Sequence, residues 1–212
     1  MTPRRVLVLG GTGGTGQHVI AQALQAGHAV TALVRDAARL GAVKSAVRVL
    51  KGDVTQDVQA VAAAVRDQDV VISTLGRGKS FKSGGLIAQS VPILVRALES
   101  HGPRRLIFTS AFGVGDSFGQ LPLGPRIFIR LMLRDVYADK TAGETVLRGS
   151  GLDWTIVYPA GLNDGPATGV YRTGEHIPLK GFPTISRGNV AHFLLSQIDD
   201  TTYMRKAVLI AT

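Results

Sequence analysis

Short β-branched runs alternate with stretches of helical spacing along the whole chain. Arg5 to Leu9, Ala29 to Val34, Val47 to Leu50, Asp69 to Thr74, Arg105 to Thr109, Trp154 to Tyr158 and Ala207 to Ala211 read as strands. Their near-continuous Val, Ile and Leu suit strands covered on both faces. Between them, Gly14 to Ala26, Val58 to Arg66, Leu86 to Ser100, Arg126 to Gly149 and Arg187 to Gln197 repeat their apolar residues every three or four positions, which predicts helices. This alternation predicts βαβ units, hence an α/β, doubly wound parallel sheet in three layers. A chain of 212 residues fills one such domain, so residues 1–212 are expected to share one core.

Two loops interrupt the rhythm. Gly76 to Gly85 and Gly113 to Pro125 are rich in Gly, Ser and Pro, and each directly follows a strand. In an open parallel sheet such loops gather at the carboxyl ends of the strands, where ligands bind. A crevice built from loops 76–85, 111–125 and 160–180 is therefore expected. Within the last of these, Asn163 to Pro178 contains Gly165, Pro166, Gly169 and Gly174, and reads as a short hairpin over the substrate side.

The first strand runs into Gly10-Gly11-Thr12-Gly13-Gly14-Thr15-Gly16, and a helix begins at once. Strand, glycine turn and helix in that order are the dinucleotide-binding arrangement of a Rossmann fold. Gly10 permits the tight turn, Gly13 lets backbone N–H groups approach a diphosphate, and Gly16 lets the helix pack closely on the strand. Unpaired N–H groups at the helix start then favour the anion. At the end of the second strand stand Arg35 and Asp36, with Arg39 one turn later. Two guanidinium groups suit a ribose 2′-phosphate, so NADP(H) is favoured over NAD; Asp36 binds a 2′-hydroxyl or pairs with Arg39. After the third strand, Asp53 is placed to accept from an adenine amino group or to cap the next helix.

Composition narrows the chemistry. Apolar residues make up 45% of the chain and cysteine is absent, which removes thiolate catalysis and cysteine-based metal sites and fits a reducing, cytoplasmic setting. His18, His28, His101, His176 and His192 show no metal-ligand spacing, so no metal is expected. No apolar run is long enough for a membrane span or a signal peptide. The net charge of +9 attracts polyanions, yet the cations are scattered and no nucleic-acid-binding motif occurs, so a small anionic partner fits better than a nucleic acid.

The motifs GGTGGTG, LVRDAARL, GDV, STLG, TSAFG and NVAHFLL, with the stretch from Lys140 to Leu162, resemble the atypical short-chain dehydrogenase/reductases of the NAD(P)H-binding, NmrA-like group. Within it the resemblance is to biliverdin reductase B and flavin reductase-like proteins. It implies that Thr12, Gly13, Gly14, Thr15 and Gly16 line the diphosphate, Arg35 and Arg39 the 2′-phosphate, and Asp53 and Val54 the adenine. By the same likeness Leu75, Gly76 and Arg77 cover the nicotinamide side, and Ser110 and Ala111 stand beside nicotinamide and substrate. Pro159, Ala160 and Leu162 match the segment contacting the carboxamide.

One departure bears on mechanism. Dehydrogenases of this superfamily pair a tyrosine with a lysine four residues later, on one helical face. Lys140 matches the lysine, but Val136 holds the tyrosine's place and Tyr137 is only three residues away. Loss of the in-register tyrosine argues against alcohol oxidation and is tolerable for hydride delivery to a conjugated acceptor such as a flavin or bilin. Ser110 then orients substrate or water, with Tyr137 a weaker candidate proton donor. An NADP(H) sensor without activity is the alternative, and a sugar-nucleotide epimerase a lesser one. Arg77, Lys79 and Lys82 are placed to meet an acceptor's anionic groups. Arg126, Arg130 and Arg134 recur every four residues beside an apolar stripe. A helix covering the sheet with its arginines in water is favoured over a membrane-surface helix, and both monomer and homodimer remain compatible.

Overall fold

The computed structural model describes residues 2–78 and 80–212. Seven parallel strands carry the fold: β1 (Arg5–Leu9), β2 (Ala29–Val34), β3 (Arg48–Lys51), β4 (Val70–Ser73), β5 (Arg105–Thr109), β6 (Asp153–Pro159) and β10 (Lys206–Ala211). Among the described residues the main sheet runs β3-β2-β1-β4-β5-β6-β10-β8, with β8 (Arg172–Gly174) antiparallel at the edge. The order turns back on itself between β1 and β4, the point where doubly wound sheets open a crevice above the strand ends.

Alternation along each strand feeds two separate cores. On β1, Leu7 and Leu9 face the layer of α2 (Val58–Val65), α3 (Leu86–His101) and α5 (Arg134–Arg148). Val6 and Val8 face the layer of α1 (Gly14–Gln25) and α6 (Arg187–Ser196). All four side chains are completely buried, which is why the strand reads as one apolar run. Helices α3 and α5 approach closely through Gly143, where a Cβ would press on Ile87 and Val91 of α3. Asp139 fixes the same junction, accepting from the backbone N–H groups of Ile87 (3.0 Å) and Ala88 (2.8 Å) in the first turn of α3.

Three expectations are corrected. The helix expected over 126–149 is two helices, α4 (Leu123–Met132) and α5, broken at Leu133 with φ −118° and ψ 12°. Helix α4 does not cover the sheet. It buries only Ile129 fully, while Leu123, Ile127, Leu131 and Met132 are exposed and Arg126 and Arg130 lie over the Phe118 ring. The third correction concerns residues 163–178, which form no hairpin. β7 (Gly161–Asn163) instead pairs in parallel with β9 (Thr184–Ser186), and β8 joins the main sheet. Each strand thus finds a partner distant in sequence, for which no local turn pattern exists. A short 3-10 segment over Ala37–Ala46 was also not foreseen; its interruption at Gly41 leaves no helical periodicity to read.

Candidate functional site

The turn between β1 and α1 is shaped by sterics. Gly10 has φ +80°, and a Cβ there would lie 2.7 Å from the Thr74 carbonyl oxygen. A Cβ on buried Gly16 would collide with the Gly10 carbonyl oxygen, so the helix start can sit on the strand end only without side chains. Gly13 is the N-cap residue of α1, and no side chain caps the helix. The first N–H groups of α1 are therefore available to an anion, and the turn fits a dinucleotide diphosphate.

A cavity of about 330 Å³ opens beside this turn, lined by Gly10, Thr12, Gly13, Arg35, Arg39, Asp53, Val54, Leu75, Gly76 and Arg77, among others. Gly14 lies on another face, in a shallow cleft with Gln17, His18 and Asp164, and Gly16 is buried beneath the turn. Arg35 and Arg39 are both exposed at the cavity edge. Asp36 neither pairs with Arg39 nor faces the cavity; its carboxylate accepts from the N–H of Ala38 at 3.0 Å. Asp53 accepts from the N–H (2.9 Å) and hydroxyl (2.7 Å) of Thr55, and these bonds hold its carboxyl below the usual range. The capping of α2 falls to Asp57 instead, through Ala60 N–H at 2.9 Å.

A second cavity of about 400 Å³ adjoins the first at Gly78. Its walls carry Ser110, Ala111, Phe112, Tyr137, Pro159, Ala160 and Leu162, so the residues after β5 and β6 converge here. Phe128, Ile129 and Phe182 make the rest largely apolar. Lys79, expected to meet an acceptor's anionic groups, lies outside the described residues. Lys82 is exposed on loop 76–85 and lines neither cavity.

Tyr137 donates to the Phe112 carbonyl oxygen at 3.0 Å, and burial pushes its phenol up to about 12. Both facts make it a poor proton donor to a ligand. Lys140 lines neither cavity; it is deeply buried on α5, and desolvation lowers its ammonium to about 8 against the pull of Glu144 and Asp139. The Ser110 hydroxyl is buried with no hydrogen-bond partner among the described residues. A buried hydroxyl left unpaired in a residue that lines a cavity is uncommon in a folded core.

Two site residues escaped the sequence reading. Arg187, the first residue of α6, lines the second cavity, pairs with Asp164 at 2.5 Å, and lays its side chain against Gly14, where a Cβ would meet its Cδ at 2.8 Å. Nothing local marks it, since it lies far along the chain from the turn it touches. Glu144 is buried behind Ser110, accepting from the Tyr158 hydroxyl at 2.6 Å. Its spacing from Lys140 and Arg148 at i, i+4 and i+8 looks like a solvated charge ladder, which is why it passed unnoticed.

Two cavities that share Gly78, one of them beside a turn with uncapped helix N–H groups, fit the layout of a dinucleotide site. The sequence matches the family described as NAD(P)H-binding over residues 10–201. The chain belongs to the NAD(P)H-binding family. Anaerobillin reductase ChuY of Escherichia coli O157:H7 is similar to this family member with TM-score 0.79 and 27% identity, covering 97% of this chain and 96% of that one. A short-chain dehydrogenase/reductase of Veillonella parvula DSM 2008, solved in complex with NADP, shares the fold with TM-score 0.81 at 22% identity, covering 99% and 94% of the two chains. The uncharacterized sugar epimerase YhfK of Bacillus subtilis is 25% identical over 208 residues, 96% of this chain and 92% of its own. The expected kinship with atypical short-chain dehydrogenase/reductases is thereby met. No helix among the described residues is long and apolar enough to cross a membrane.

Proposed function

We propose that this chain is an NADPH-dependent reductase that passes hydride to a planar, conjugated, anionic acceptor such as a flavin or a linear tetrapyrrole. The observation that carries this reading is that the two cavities share Gly78 in their walls: a dinucleotide stretched from Arg35 past the glycine turn would end beside the apolar chamber that Ser110 lines. The Arg35 and Arg39 guanidinium groups would hold the 2′-phosphate, and N–H groups of the Thr12 to Gly16 turn the diphosphate. NADPH supplies the hydride when bound. The protein's part is to orient the acceptor face against Phe112, Pro159 and Ala160, exclude water, and meet acidic groups with Arg187 and Arg77. The similarity to an anaerobillin reductase supports this choice of acceptor class.

Tyr137 is tied to the Phe112 carbonyl, so sugar or alcohol oxidation through a tyrosine base lacks its base here. That observation also favours a second reading, an NADP(H) sensor without turnover. Following NADPH absorbance with FMN, riboflavin, biliverdin and simple quinones decides between them. Turnover with any acceptor supports the reductase, and tight binding of NADPH and NADP+ with every acceptor inert supports the sensor.

Nucleotide preference has its own test. Arg35→Ala removes a charge-assisted bond worth about 1.5 to 3 kcal/mol, so NADPH affinity should fall about ten- to a hundredfold in calorimetry, with NADH nearly unchanged. Equal weakening of both nucleotides would remove the 2′-phosphate assignment.

A further inference from the structure

Behind the wall of the second cavity lies a row of polar groups, Glu144, Tyr158 and Arg148, that the reductase reading does not use. Ser110 is on the wall, and its buried hydroxyl and Glu144 Oε1 each lack a hydrogen-bond partner of good geometry. They are nonetheless close enough that the serine hydroxyl biases the carboxyl's protonation. On its other oxygen, Glu144 accepts from the Tyr158 hydroxyl at 2.6 Å. Tyr158 in turn accepts from Arg148 at 3.1 Å, and the Arg148 side chain is 34% exposed. Backbone covers the line from the remaining side: Gly115, with φ +53°, comes so near that a Cβ would lie 3.5 Å from Glu144 Oε2 and 3.8 Å from the Tyr158 hydroxyl oxygen.

We propose that Glu144 is the proton reservoir of the crevice, giving its proton through Ser110 to the acceptor and regaining one from solvent through Tyr158 at the Arg148 end. This rests on the reductase reading above. In the balanced step, the acceptor carbon gains hydride and its electron pair, and the charge moves to a conjugated heteroatom. That atom takes the Ser110 hydroxyl proton while Ser110 takes the Glu144 proton, leaving a carboxylate. In one concerted shift the carboxylate then takes the Tyr158 hydroxyl proton as Tyr158 takes one from solvent beside Arg148; burial and the Glu144 charge raise the Tyr158 phenol, so no free phenolate forms. Ser110 is the group that touches the acceptor; Glu144 acts through it.

The surroundings support a carboxyl that holds its proton. Burial raises the Glu144 carboxyl, and the hydroxyls of Ser110 and Tyr158 with the charges of Arg148 and Lys140 oppose that rise only in part. From its own helix the facing charges are Lys140 and Arg148, from β6 Tyr158, and from the loop after β5 Ser110 and the Gly115 backbone. Helix α3 packs against this stretch of α5 with the apolar Ile87 and Val91. A buried carboxyl whose proton is held more tightly than usual, even with Arg148 3.7 Å from its Oε2, and which lies behind a cavity-lining serine, suits a general acid.

The test needs the full chain and two readouts. Infrared spectroscopy of the cofactor-free protein should show a protonated carboxyl stretch that persists above the ordinary glutamate range and vanishes in Glu144→Gln, and Ser110→Ala should move its titration to higher pH. With NADPH saturating and whichever acceptor the wild type reduces, kcat should fall as pH rises through that same titration. Glu144→Gln should lower kcat at least tenfold and flatten the profile, leave NADPH affinity unchanged, and Glu144→Asp should restore part of the pH dependence. Tyr158→Phe, which keeps the ring in the core, should slow turnover and enlarge the solvent deuterium effect. A carboxyl that titrates at or below the ordinary glutamate range, or a folded Glu144→Gln variant with wild-type kcat and pH profile, would overturn the relay alone. Absence of turnover by the wild type with every acceptor would overturn both relay and reductase.

Discussion

Gly16→Val should abolish binding of both NADPH and NADH, a loss of more than a hundredfold, because the new side chain has no place to go. A Cβ at position 16 already collides with the Gly10 carbonyl oxygen and comes within 2.8 Å of Gly11 Cα, all of it backbone that cannot swing aside. To relieve that contact, α1 must lift from the end of β1, and its first N–H groups leave the place where they converge on a diphosphate. Losing two charge-assisted bonds of about 1.5 to 3 kcal/mol each exceeds the roughly 2.7 kcal/mol that a hundredfold represents. Calorimetry measures the loss, with circular dichroism and thermal unfolding run in parallel. Thr12→Glu guards against a folding defect, since Thr12 lines the cavity without being buried and a carboxylate there repels the same anion. A folded Gly16→Val chain with wild-type affinity would show that the dinucleotide does not rest on this turn.

What could be read in the sequence follows from how local each signal is. The strands β1, β2 and β5 fall on the expected residues because a strand buried on both faces needs only consecutive apolar residues. The glycine turn was legible for the same reason: strand, turn and helix adjoin in sequence, and the steric demand at Gly10 and Gly16 admits one residue type. Arg187 and the pairing of β7 with β9 were illegible because each depends on a partner distant along the chain. Glu144 failed differently. Its sequence environment is that of an exposed helix face, and only the packing of α5 between α3 and β6 turns Lys140 and Glu144 inward while Arg148 stays at the surface. The exposed apolar face of α4 makes the opposite error, a pattern of burial with nothing beneath it among the described residues. Periodicity reports which residues share a face and not whether that face meets protein or water.

Lys140 supplies the other large effect, on stability. Its ammonium is driven from 10.5 to about 8 by burial, a difference worth about 3 kcal/mol between the two protonation states. The sign follows from proton binding. Between pH 8 and 10.5 the unfolded chain carries the Lys140 proton and the folded chain does not, so stability rises with pH across this window. Below pH 8 both states are protonated and the full penalty is present; above 10.5 neither is, and it is gone. Tyr137 acts in the opposite sense but later. Its phenol is raised from 10 to about 12, so it makes stability fall only as pH climbs past 10. Urea unfolding of the cofactor-free protein should therefore show a gain of about 2 to 3 kcal/mol from pH 8 to pH 10. Lys140→Met keeps a long unbranched stem and removes the buried charge. It should be about 2 kcal/mol more stable than wild type at pH 7 and flat across the same range. A wild type whose stability does not change from pH 8 to 10, or a Met variant that is weaker at both ends, would contradict this account.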